Sequence, residues 1–189
     1  MISTQARRIR AVLDRPDRND AVAAWLAQLE EALVAEIALD DETIGMLVSD
    51  GRPHWGVRTP EDARAYIDFW SRLVTQHDDP RLQAACADVI YLLGGASRAC
   101  EALAMFVTAV ERRPELFVEY AGDFSEVAKQ CGRSQQLDFE LAKVRFFAAL
   151  VDRGELEESD LRDAVREILA TYDGEPSLRN RLTMIARGS

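Results

Sequence analysis

A proline placed directly after a capping residue marks a helix start, and this chain uses that device twice in quick succession. In Thr59-Pro60-Glu61-Asp62 the threonine supplies the cap and proline takes the first turn, where its missing N–H costs nothing. Two carboxylates then face the positive end of the helix dipole. Asp79-Pro80 repeats the arrangement. Apolar residues follow each start at spacings of three and four: Ala63, Tyr66, Ile67, Trp70, Leu73 and Val74 after the first, and Leu82, Cys86, Val89, Ile90 and Leu93 after the second. Gly94-Gly95 closes the second helix.

The same grammar covers the rest of the chain. Ala6, Ile9, Val12 and Leu13 form a stripe that Pro16 stops, and Val22, Trp25, Leu26, Leu29, Leu33 and Ile37 form the next. A short helix is expected from Glu42 through Val48. Ser97 is expected to cap a helix carrying Leu103, Phe106 and Val110. Pro114 is expected to start another, kinked near Gly122, and Ser134 to cap the one after it. Segments ending at Gly154, Gly174 and the C-terminus complete the series. Helix, short turn, helix is the only recurring pattern, and no stretch reads as a strand. The expectation is an all-α fold of stacked antiparallel helical hairpins, an α-α superhelix or a bundle, with about eight to nine helices and no sheet.

With 189 residues, 48% of them hydrophobic, the chain has the apolar content for one domain over 1–189. Within it, 1–58 reads as N-terminal helices plus an irregular acidic and aromatic loop, and 59–189 as a helical-hairpin stack. Residues 101–109 and 141–149 align at a register of forty residues, pairing Ala102 with Ala142, Phe106 with Phe146 and Ala109 with Ala149. With Pro114, these residues meet the second-helix half of a tetratricopeptide-type repeat, so residues 82–154 resemble that family of α-α repeats. The first-helix half departs from it: Cys86, Ile90 and Leu93 occupy the positions where Trp, Gly and Tyr are expected, and Gly154 stands where the second copy needs proline. The resemblance implies a scaffold that holds a peptide.

The formal charge is -10 and arginine greatly outnumbers lysine. Such a surface repels phosphate backbones, so nucleic acid is not an expected partner, and a basic protein is the natural complement. No run of about 18 apolar residues is present and no signal peptide is read, so neither membrane association nor export is expected. Cys86, Cys100 and Cys131 fit no zinc spacing and read as reduced core side chains, which favours a cytoplasmic, bacterial-type protein. No catalytic, nucleotide or metal motif is found, and no cofactor is expected. His77 reads as a helix-end residue complementing the dipole, and His54 is a loop histidine with no local partner.

One charge feature departs from the mixed background. Between Arg18 and Arg52 there is no basic residue, while Asp20, Glu30, Glu31, Glu36, Asp40, Asp41, Glu42 and Asp50 fall in that interval. It leads into a loop bearing His54 and Trp55. Glu36, Asp40, Asp41, Glu42, Asp50, His54 and Trp55 are therefore the candidate partner-binding residues, able to steer and anchor a cation-rich surface. The function expected is a non-catalytic binding module, in its sharp form an acidic inhibitor of the immunity-protein or antitoxin type. The alternatives are the repeat scaffold and an enzyme with a pocket assembled from distant residues.

Overall fold

The computed structural model describes residues 3–16, 20–34, 38–53, 57 and 59–187, the last two of these by backbone alone. Among the described residues there are ten α-helices, one 3-10 turn and no strand, so the fold is all-α. The chain divides into two compact units, Met1–Arg98 and Ala99–Ser189. Residue 58 lies inside the first of these units. Helices that begin after that point pack on the N-terminal ones, because their apolar stripes face each other.

The first unit holds α1 (Thr4–Leu13), α2 (Val22–Val34), α3 (Asp41–Asp50), α4 (Pro60–Gln76), α5 (Pro80–Gly94) and the 3-10 turn Gly95–Arg98. Four of the starts are capped by side chains, those of α1, α3, α4 and α5. Ser3 Oγ accepts from the Ala6 N–H at 2.8 Å, Thr59 Oγ1 from Asp62 at 3.1 Å, and Asp79 Oδ1 from Arg81 at 2.8 Å. The segment around Ile44, expected as a short helix, forms a full ten-residue helix because Asp40 caps it through the Thr43 N–H.

Helices of this unit pack with their second neighbours in parallel. At one end of the α1/α3 pair, the Ser3 N–H donates to Glu42; at the other, Arg10 meets Asp50 at 2.8 Å. For α3 and α5 the two ends are marked by Asp41–Arg81 at 2.8 Å and Arg52–Asp88 at 2.9 Å. Trp25 against Tyr66 and Glu30 against Arg72 mark α2 and α4. In each case the partners lie close to forty residues apart. The helix α5 buries Ala84, Ala85, Cys86 and Ala87 completely, and such small side chains let neighbouring helix axes approach closely. Trp70 and Phe69 fill the space beside them, edge to face at 6.2 Å between ring centres.

At the end of α5 the Gly95 φ of +60° takes the chain out of the helix, a conformation a side chain would strain. Ser97, expected as an N-cap, instead donates its hydroxyl to the Gly94 carbonyl. One stretch, Pro80–Arg112, reaches a mean hydropathy of 1.3 over 18 residues, and the glycine turn and 3-10 segment interrupt it.

The second unit holds α6 (Ala99–Arg112), α7 (Leu116–Gln130), α8 (Arg133–Asp152), α9 (Glu158–Thr171) and α10 (Leu178–Arg187). Here α8 is a hub that packs on all four others. Its sequence carries two apolar faces about 180° apart. Phe139, Ala142 and Phe146 make one, and the first and last of these meet rings of α6 and α7. Leu137, Leu141, Val144 and Ala148 make the other and join Ile168 and Tyr172 with Leu178 and Ile185 of α10 in a second core. A helix apolar on opposite sides has to be buried on both.

Two local expectations are corrected in this unit. Helix α7 runs unbroken through Gly122 and begins at Leu116, after a turn at Pro114. Ser134 lies inside α8, whose cap position is Gly132. The forty-residue register pairs α6 with α8, which pack side by side in parallel, tied by Arg145–Glu111 at 3.4 Å and Arg153–Glu115 at 2.8 Å. The division between the units falls inside the 82–154 span of the repeat resemblance.

Candidate acidic interface on the third helix

Asp40, Asp41, Glu42 and Asp50 all belong to α3 or its cap, while Glu36, His54 and Trp55 lie outside the described residues. The helix is held at both ends. At its start, Gln5 clasps the incoming chain, donating to the Ala38 carbonyl at 3.2 Å and accepting from the Asp40 N–H at 2.8 Å. Hydrogen bonding from Ser3 holds the Asp40 carboxyl below its ordinary range, opposed by burial and reinforced by Thr43. At its end, Arg52 donates to the Val48 carbonyl at 2.7 Å and to Asp88, whose carboxylate is only 7% exposed.

The acidic interval lacks cations in sequence yet not in space. Arg10 reaches Asp50, Arg81 reaches Asp41, and Arg72 grips Glu30 with two hydrogen bonds of 2.6 and 3.0 Å. The reading of these carboxylates as uncompensated is thereby corrected: parallel packing brings each an arginine from about forty residues away. Part of the run has a structural task. The starts of α1, α3 and α5 gather at one end of the unit, and parallel dipoles that share an end repel one another. Carboxylates there relieve the repulsion. Asp40 and Asp79 cap two of these starts, and Glu42 accepts from the Ser3 N–H at the third.

Arg81 is the centre of this arrangement. It forms two hydrogen bonds to Asp79, at 2.8 and 3.0 Å, and a third to Asp41. Burial alone would raise the Asp79 carboxyl, but the hydrogen bonds and charge of Arg81 overcome it and hold the group below its usual value. The Arg81 guanidinium is in turn held above its already high value, first by Asp79, with burial opposing and Asp41 assisting. Asp41 is nevertheless 93% exposed, so its carboxylate stays open to solvent beside Arg81. Glu42, Glu31 and Asp20 are exposed as well.

His77, expected as a charged helix-end residue, is buried at the close of α4, and burial pushes its ring toward the neutral form. Among the described residues no group of three or more His, Cys, Asp or Glu side chains is placed to hold a metal. Cys86 fits the expected reduced core side chain, and Cys100 and Cys131 depart from it. Cys100 is exposed at the start of α6 and bonded to Cys131 at the end of α7, while Cys86 is a buried core thiol. Sequence reading missed this pair because thirty-one residues separate its members, and only the hairpin brings their Cα atoms to 5.6 Å. The second unit also has a cleft of about 340 Å³ whose lining includes Glu111, Arg112, Arg145, Asp152, Ala148 and Ala149. Its charges are of both signs, and Arg145 and Glu111 pair across it. No protein-family model, curated protein or solved structure matches this chain.

Proposed function

We propose that this protein is a non-catalytic binding module for a basic protein, of the acidic-inhibitor kind, and that α3 leads the contact. The supporting observation is Asp41: an open carboxylate paired with Arg81, beside exposed Glu42. An open carboxylate keeps free lone pairs, so a partner's arginine can share it with Arg81. The net charge of -10 adds long-range steering. Glu36, Asp40, Asp50, His54 and Trp55 are kept as proposed partner-binding residues on the acidic run of the sequence. A cytoplasmic setting is part of this reading.

The test is association kinetics with the product of a neighbouring reading frame, chosen for basic charge. The expected result is a tight complex whose association slows as salt rises. Exchanging Asp41 for Asn together with Glu42 for Gln slows association about tenfold and leaves the helical circular dichroism unchanged. Capture of abundant chaperones alone, at low salt, would overturn the proposal.

The parallel forty-residue spacing favours a second reading, a helical-repeat scaffold that binds an extended peptide across successive hairpins. Hydrogen exchange separates the two. Protection spread over α2 and α4 supports the scaffold, and protection centred on α3 supports the inhibitor.

A further inference from the structure

We infer that the Cys100–Cys131 bond is a thiol-exchange site and that Cys100 is the sulfur through which low-molecular-weight thiols open it. The hairpin of α6 and α7 is closed at one end by the turn Arg113–Glu115. At the other end, where α6 begins and α7 stops, the disulfide spans Cα atoms 5.6 Å apart, inside the normal range for such bonds. The covalent ring so formed encloses Phe106, Phe117, Tyr120 and Phe124, four of the rings in this unit's aromatic core. Phe106 stacks on Phe124 at 4.3 Å, midway along the hairpin.

The two cysteines differ in exposure. Cys100 belongs to an exposed residue, whereas Cys131 is 8% exposed at the close of α7. Attack by an incoming thiolate needs a clear line to one sulfur, so it falls on Cys100. The S–S bond breaks, the electron pair leaves with Cys131 Sγ, which takes a proton, and Cys100 carries the mixed disulfide. A second thiolate attacks the sulfur of the attached thiol, giving the oxidised small disulfide and a free Cys100 thiol. Two electrons are transferred in all. In reverse, Cys131 attacks the Cys100 sulfur of the mixed disulfide and closes the clasp. Opening removes a loop constraint and leaves the α6–α7 hairpin joined by its turn and its packing.

The experiment uses the full chain. After mild oxidation, a non-reduced peptide map is expected to show Cys100 linked to Cys131 and Cys86 unmodified. Dithiothreitol is expected to lower the melting temperature of the second unit by about 10 °C or more. It should also speed hydrogen exchange over residues 124–131. Brief exposure to glutathione should place the mixed disulfide on Cys100 over Cys131 by at least about tenfold. A Cys131→Ser variant should melt where the reduced wild type melts and ignore dithiothreitol. Absence of the Cys100–Cys131 peptide, identical melting with and without reductant, or glutathione found mainly on Cys131 would each overturn the inference, and all three readings are made on the wild type.

Discussion

The two units of this molecule build the same kind of hairpin array with different cores. In the first, the described tryptophans Trp25 and Trp70 and the small-residue shoulder of α5 fill the interior, and ion pairs fasten parallel helices at their ends. In the second, six of the chain's seven phenylalanines cluster around α6, α7 and α8, and a disulfide closes the hairpin. Charge does not distinguish them, since each half carries a formal charge of -5. Ion pairs tie second neighbours in both, and the difference lies in the apolar area between them. Short α3 has little apolar area to offer and relies on polar ends, while twenty-residue α8 has two apolar faces and relies on burial.

The sharpest way to break this comparison is to cut into the aromatic core. Phe106→Ala removes the ring that touches Phe117, Tyr120, Phe124 and Phe139, and should cost the second unit about 3–5 kcal/mol. Urea unfolding followed by far-ultraviolet circular dichroism measures it. Tryptophan emission comes wholly from the first unit and should shift its midpoint far less. If both signals move together by the full amount, the units are not separate in stability.

Next is Asp88→Asn in the first unit. It leaves Arg52, 31% exposed, facing a neutral partner and should cost about 2 kcal/mol, read as a lower urea midpoint in tryptophan emission. A loss below a few tenths would show that the polar end of α3 and α5 contributes little.

A smaller and graded effect is expected from pH. Burial depresses the His77 pKa in the folded protein, so the unfolded chain takes up the proton first as pH falls. Stability is therefore full above the ordinary histidine value of about 6.5 and declines as pH drops from there toward the folded value. Urea midpoints measured between about pH 7.5 and about pH 5.5 should show the decline, and His77→Gln should flatten it. The depressed carboxyls of Asp40 and Asp79 act separately, their contribution being lost only as pH falls below the ordinary aspartate value of about 3.9.

The smallest effect belongs to Asp41→Asn. With its carboxylate 93% exposed, its pairing with Arg81 is worth a few tenths of a kcal/mol at most, and less at high salt. A near-silent change in stability that slows partner association would separate the role of Asp41 in binding from any role in folding.

Much of the fold was legible in the chain. Thr59-Pro60 and Asp79-Pro80 begin helices as their composition requires, and the Trp25 and Trp70 stripes face the core. Ser97 and Ser134 show where that reading fails: a hydroxyl near a helix start caps it only if the turn before it has the right path. The candidate site was half legible. The acidic run is plain in sequence, and its arginine partners are not.

Sequence alone determined what depends on one or two helical turns: capping, proline and glycine stops, and the face each helix buries. Those choices involve residues within four positions of one another, and their energies are local. Only the tertiary structure decided which cysteines meet, which arginine answers which carboxylate and where one unit ends. These depend on how helices about forty residues apart lie side by side, which apolar packing sets and no local spacing encodes.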